Sequence, residues 1–362
     1  MKEFILKYKK LHIWLVVAVA LLAFFWIGKR SRALMDFVGY NITQPIKTTI
    51  GAATSVFPFS LAEIVIYALI ILVCVLLARV IAALARRKKR GRLYPRLMTL
   101  ICAVLTVGAA SAMLWGVNYY TDNFKDMSGI RDKPVATDDL YAVTKYFAEN
   151  LAASSDGVAR DDSGLFAVSR SDIIAESPYI YAPVTDEFPY LAMKDHRVKP
   201  FYFSHFMSLL DFTGFYFPLT GEANLNVESP ACLLPATVAH EMAHQRGFSS
   251  EQECNFIAII VSTRSGYADY EYSGWLFGFI HLNNALYDAD RDEWEQLYST
   301  LPADVQADIE NNNAYWDSMR GEATEAADKV YDSYLKGYGE ESGIQSYGEV
   351  VDLLVEYYKD KC

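Results

Sequence analysis

The apolar residues of this chain fall into two regimes. In the first third they form long unbroken runs. Afterwards they recur at intervals of three and four, between acidic and polar positions. Three runs stand out: IWLVVAVALLAFFWIG at 13–28, SLAEIVIYALIILVCVLLARVIAALA at 60–85 and LMTLICAVLTVGAASAMLWGV at 97–117. Each approaches the ~20 residues a helix needs to cross a hydrocarbon core. The first follows Lys7, Lys9 and Lys10, as a signal peptide would, but GKRSR follows it instead of a small-residue cleavage site, so it reads as an uncleaved anchor. Residues 1–118 are therefore expected to be a membrane region and 119–136 a linker. Residues 137–362 are expected to be a second, water-exposed domain.

That domain reads as mostly α with a small β element. TDDLYAVTKYFAENLAA predicts a helix starting near Thr137. A loop with a turn follows at 155–170, and a helix is expected around 201–211. GFYFPLTGEANLN, residues 214–226, alternates and then turns at Gly221, which predicts a short strand. Pro218 makes it an edge strand, because proline cannot donate to a sheet ladder. After residue 284 the pattern is helical and acidic.

Charge sharpens this division. Residues 1–118 carry 16 Lys and Arg against 3 Asp and Glu, and the remainder carries 17 against 41. The acidic portion argues against nucleic-acid binding, which needs a positive surface. The densest basic block, RRKKRGRLYPR, lies between the second and third runs. By the positive-inside rule it is cytoplasmic, as is the N-terminus, which places 119–362 outside the cytoplasm. Lys29, Arg30 and Arg32 run against this orientation and are outweighed. Of five cysteines, none forms a CxxC pair; a Cys232–Cys254 disulfide is compatible with an oxidising compartment but not demanded.

The candidate chemistry lies in LPATVAHEMAHQRGFSSEQECNF. Pro235 suits the first turn of a helix and Gly247 the left-handed position after its end. On that helix His240 and His244 share a face and can present two imidazole nitrogens to one zinc ion, with Glu241 beside them as general base. A catalytic zinc needs a third protein ligand and an open position. Glu251 is the first choice on the next helix and Glu253 the second. Ser249 or Ser250 can cap that helix, with Glu253 completing a capping box. Asn255, four residues after Glu251, can support a ligand histidine. Glu222 and Asn224 can line the cleft or close the turn of the strand. Tyr272 and His281 are candidate donors to a developing oxyanion. Two histidines on a helix can also be ordinary packing residues, but the framed helix, the acidic helix start that follows and the preceding edge strand favour chemistry.

The sequence HEMAH followed by Glu251-x-x-x-Asn255 resembles the gluzincin metallopeptidases, although Cys254 stands where their pattern has Ala and the interval between motifs is shorter. Over nearly its full length the chain also resembles an uncharacterised bacterial three-span membrane family, domain of unknown function family 3810. The resemblance rests on the three spans, PFSLAE, GFYFPLTGEANLN, HEMAHQRGFSSEQECNF, YSGWL and YDSYLKGYGEESGIQSYGEVVDLL. It implies a zinc-dependent, zincin-like peptidase domain held outside a bacterial cell membrane, acting on an unidentified peptide or protein. The alternative is a non-catalytic zinc-stabilised sensor or scaffold. An intramembrane protease is excluded, because the apolar run FIAIIVS is too short to span and charges crowd the motif.

Overall fold

A computed structural model describes residues 2–85, 91–131, 133–339 and 350–362. Residues 86–90, the first five of the eleven-residue basic block expected in the cytoplasm, lie outside the described residues, as do residues 340–349 within YDSYLKGYGEESGIQSYGEVVDLL. The chain divides into two compact units: Met1–Thr121 with the turn Pro218–Gly221, and Asp122–Phe217 with Glu222–Cys362.

The described residues of Met1–Thr121 are mostly helical. Helices α1 (Lys2–Lys7) and α2 (Lys9–Gly28) are followed by α3 (Arg32–Val38), a π turn and α4 (Gln44–Thr54). The long α5 (Leu61–Ala85) and α6 (Leu93–Leu114) complete it. Helices α2, α5 and α6 are long and apolar enough to cross a membrane. They lie within a turn of the predicted runs. Helix α6 packs against both α2 and α5, and Trp14 Nε1 donates to Thr106 Oγ1 at 2.7 Å across α2 and α6. Most large side chains on these helices face outward, among them Val16, Ile70, Ile71 and Val104. An apolar exterior of this kind is what a helix surrounded by lipid requires.

The second unit begins earlier than the sequence suggests. The expected linker contains the short helix α7 (Phe124–Ser128), while the 3-10 turn Gly116–Tyr120 before it belongs to the first unit. Phe124 of α7 is buried among Phe188, Tyr190, Phe248 and Phe256. The unit continues through α8 (Thr137–Ser155), α9 (Arg170–Glu176), strand β1 (Lys199–Phe201) and α10 (Ser204–Leu209). Strands β2 (Gly214–Phe217) and β3 (Glu222–Asn226) precede α11 (Leu234–Arg246), α12 (Glu251–Thr263) and α13 (Ala268–Ala289). Four more helices follow: α14 (Arg291–Tyr298), α15 (Ala303–Met319), α16 (Glu322–Tyr338) and α17 (Val350–Tyr358).

All 13 residues of α12 are buried. A helix enclosed on every side needs apolar residues all round, which FIAIIVS supplies. Helices α11, α13 and α17 pack against it. The sheet has the order β1-β3-β2, with β1 parallel and β2 antiparallel to β3. The expected strand is therefore a hairpin of two, with Pro218 in its turn and β2 at the sheet edge. Strand β1, only three residues long, gave no alternating signal to read.

Candidate metal centre

Helix α11 carries the histidines. Pro235 stands in its first turn, and Gly247 closes it in the left-handed conformation at φ 103°. The Gly247 N–H donates to His244 O, and the Phe248 N–H returns to Ala243 O. This tight exit brings Phe248 back under the helix and starts α12 three residues later. The outer side of α11 is clamped by Arg246. Its guanidinium binds both oxygens of Asp195 at 2.7 Å and lies 3.3 Å over the ring of Tyr181. The Tyr181 hydroxyl in turn donates to Ala239 O at 2.7 Å.

Three buried side chains converge between α11 and α12. His240 Nε2 is 3.1 Å and His244 Nε2 is 3.5 Å from Glu251 Oε2. The candidate ligand atoms of His240, His244 and Glu251 all lie within 4.8 Å of one another, a group able to hold a metal ion. The two imidazole rings are nearly perpendicular, with centroids 4.7 Å apart. Glu251 Oε2 accepts no hydrogen bond among the described residues. A buried carboxylate oxygen facing two imidazole nitrogens at 3.1 and 3.5 Å is an arrangement that a cation placed between the three groups would satisfy.

The surroundings fix the roles of individual atoms. His244 Nδ1 lies 2.8 Å from Phe248 O and donates there, which turns Nε2 toward Glu251 Oε2. Cys254 Sγ lies 3.3 Å from the same Nδ1. Burial pushes the Cys254 thiol up to about 12, so it stays protonated. Burial also works against an ionised Glu251, but His244 and His240 outweigh it and hold the carboxyl well below its ordinary range. The Tyr331 hydroxyl donates to the other oxygen, Glu251 Oε1, at 2.6 Å.

Glu241 is buried beside this group. Burial raises its carboxyl to about 7, against the opposing pull of His240 and His244. The Tyr216 N–H of β2 donates to it, and its Oε2 accepts no hydrogen bond among the described residues. It is thus a carboxyl group held near neutrality with one oxygen unspent. His281 lies close enough for His240 to act on it electrostatically. Burial, helped by His240, lowers the His281 imidazole to about 4, and its Nε2 is buried without a hydrogen-bond partner among the described residues.

Other predicted residues stand elsewhere. Glu253 points away from the histidines. Its two oxygens accept the N–H groups of Phe124 and Lys125, each at 3.0 Å, so it tethers the start of α7. It stands outside the His240, His244 and Glu251 group, and it makes no capping box at Ser250, which caps α12 without a side-chain bond. Tyr272 gives its hydroxyl to Asp308 Oδ2 at 2.5 Å and stacks on Phe166. Glu222 and Asn224 are buried in the central strand β3, and the Asn224 amide donates to backbone carbonyls of Phe215 and Glu222. Asn255 is buried on α12, one turn beyond Glu251. Cys232 and Cys254 are both free thiols, so no disulfide joins them. Sequence reasoning missed Tyr331, 80 residues from Glu251, and the Phe248 carbonyl. No spacing rule connects either to the motif.

The profile of one protein family, described as "Protein of unknown function (DUF3810)", matches residues 40–355. No curated protein and no solved structure matches the chain. A match over well over half the length is decisive: the chain belongs to the DUF3810 family.

Proposed function

We propose that this DUF3810 protein is a membrane-anchored zinc metallopeptidase of zincin type, its second unit held outside the cytoplasm by α2, α5 and α6. The observation that carries this reading is the convergence of His240, His244 and Glu251 on one point, with the half-satisfied carboxyl of Glu241 beside it. Two neutral imidazoles and one carboxylate form a ligand set suited to zinc. Zinc bound there supplies Lewis acidity and lowers the pKa of water to about 7.

The chain's own groups do the rest. Glu241 takes the proton of the attacking water and later delivers it to the leaving amine. The Tyr216 N–H holds the Glu241 carboxylate at the end of β2. Strand β2 is an edge strand, so an extended peptide can pair beside it within reach of Glu241. His281, kept neutral by burial, is the nearest candidate donor to the developing oxyanion.

One observation favours the non-catalytic alternative, a zinc-stabilised sensor or scaffold. The ligand side chains are nearly closed off, with His240 12 % and Glu251 3 % exposed. A peptidase must open this site to admit substrate.

The test is metal content of the full-length protein purified in detergent. One zinc per chain, absent from the His240→Ala, His244→Ala double variant, is the expected result. Peptide cleavage by the wild type but not by Glu241→Gln, at equal zinc content, then separates the enzyme from the scaffold. A folded, zinc-supplied wild type that retains no metal defeats both readings.

A further inference from the structure

Helix α16 is an unusual neighbour for a buried centre. Of its 17 residues only Thr324 and Leu335 are buried. Val330 is 71 % exposed. Its amino end is tied down by Thr324 Oγ1, which donates to Leu209 O at 3.1 Å and accepts the Gly321 N–H at 3.2 Å. Beyond that tie, Tyr331 reaches inward. Its hydroxyl binds Glu251 Oε1, and its ring meets Phe212 edge-on at 5.6 Å. Phe212 lies two residues before Gly214, and Gly214 lies against Glu241. One phenol therefore touches both the third ligand and the segment that leads into β2.

The two oxygens of Glu251 are divided by this arrangement. Oε2 faces the imidazoles and Oε1 is occupied by the phenol. A carboxylate fixed in this way offers one oxygen to a metal in one orientation, with less freedom left to lose when the ion arrives. We infer that Tyr331 is a positioning residue of the metal centre, and that α16 is a strap whose seating is coupled to metal loading. This rests on the metal reading above. The coupling is reciprocal: if the seated strap tightens the metal, the metal tightens the strap by the same factor. With its few buried residues, α16 belongs to the low-stability end of the unit, where such coupling is visible as local opening.

The experiment uses the full-length chain in detergent and zinc alone as the probe. Zinc affinity is measured by competition with a chromophoric chelator for wild type, Tyr331→Phe and Glu251→Gln. Hydrogen exchange across residues 322–338 is followed with and without zinc. Phenylalanine keeps the ring on Phe212, so the variant loses only the hydroxyl. The expected result is a zinc affinity at least about tenfold weaker in Tyr331→Phe, as loss of an outer partner of a ligand typically costs. Zinc should also slow exchange in α16 of the wild type and not of the variant. Zinc binding by Tyr331→Phe within twofold of wild type, while Glu251→Gln loses zinc, overturns the role of Tyr331 and leaves the metal centre standing. Exchange in α16 that ignores zinc in the wild type overturns the coupling. A wild type that binds no zinc overturns the metal centre itself, and this inference with it.

Discussion

Gly214 and Glu241 stand so close that a Cβ on Gly214 would lie 2.7 Å from both Cγ and Oε1 of Glu241. The same carbon would lie 2.9 Å from Asn224 O in the central strand. The first residue of β2 is thus shaped around the proposed base. Gly214→Ala must displace Glu241 or widen the hairpin. Overpacking of this kind costs about 1–3 kcal/mol, and a displacement near 1 Å can cost about 100-fold in rate. The expected outcome is a Gly214→Ala protein with full zinc content and a large loss of peptide cleavage, measured as kcat against metal stoichiometry. Unchanged kcat would show that Glu241 does not depend on this wall.

Glu251 and Glu253 offer a sharper contrast, because two neighbouring acids on one helix do unrelated work. Glu253→Ala removes a buried acceptor and leaves the N–H groups of Phe124 and Lys125 unsatisfied. An unsatisfied buried group costs about 1–3 kcal/mol. Glu253→Ala is expected to lower the unfolding midpoint and keep one zinc. Glu251→Gln is expected to lose zinc. Metal analysis and thermal melts on the same two preparations decide the assignment, and the reverse pattern would exchange the two roles.

The contrast also shows what was legible beforehand. The helix of the histidines was readable because its punctuation, Pro235 and Gly247, and its i, i+4 histidine spacing are both local. The three apolar helices were readable because length and composition alone specify them. The choice between Glu251 and Glu253 was half legible: helical spacing favours Glu251, but the fate of Glu253 depends on α7, more than 120 residues earlier. Tyr331 and the division of the Glu251 oxygens were not legible, since they arise only when α16 folds back on the site. Strand β1 pairs in parallel with β3 over three residues, too short a stretch for any periodicity to register.

The clamp behind α11 carries a stability prediction of its own. Arg246 and Asp195 are a buried bidentate pair, with side chains 2 % and 7 % exposed. Burial alone would raise the Asp195 carboxyl, and Arg246 opposes that rise. Removing one partner of such a pair typically costs about 3–5 kcal/mol, because the other charge is left uncompensated. Arg246→Met is expected to destabilise the second unit by that order. Adding Asp195→Asn to it should recover part of the loss. Denaturant unfolding of the single and double variants measures the coupling, and additive losses would show that the pair is not acting as a unit.

Glu176 and Asp269 set a pH dependence away from the proposed metal centre. Burial, reinforced by the nearby Asp269 and Asp172, raises the Glu176 carboxyl to about 7. Burial likewise raises Asp269. Two carboxyl groups this close cannot both ionise cheaply, so the folded state retains a proton that the unfolded chain releases at its ordinary carboxylate pKa. The sign follows from linkage. Between about pH 4.5 and 7 the native state binds more protons than the unfolded state, so stability falls as pH rises. The contribution is fully present below that window and lost above it. Glu176→Gln replaces the protonated acid with a neutral group of the same shape. It should flatten the decline in melting temperature between pH 5 and 8 while leaving the pH 5 value nearly unchanged. A wild type and a Glu176→Gln variant with parallel pH profiles would mean that the pair is ionised in the folded protein.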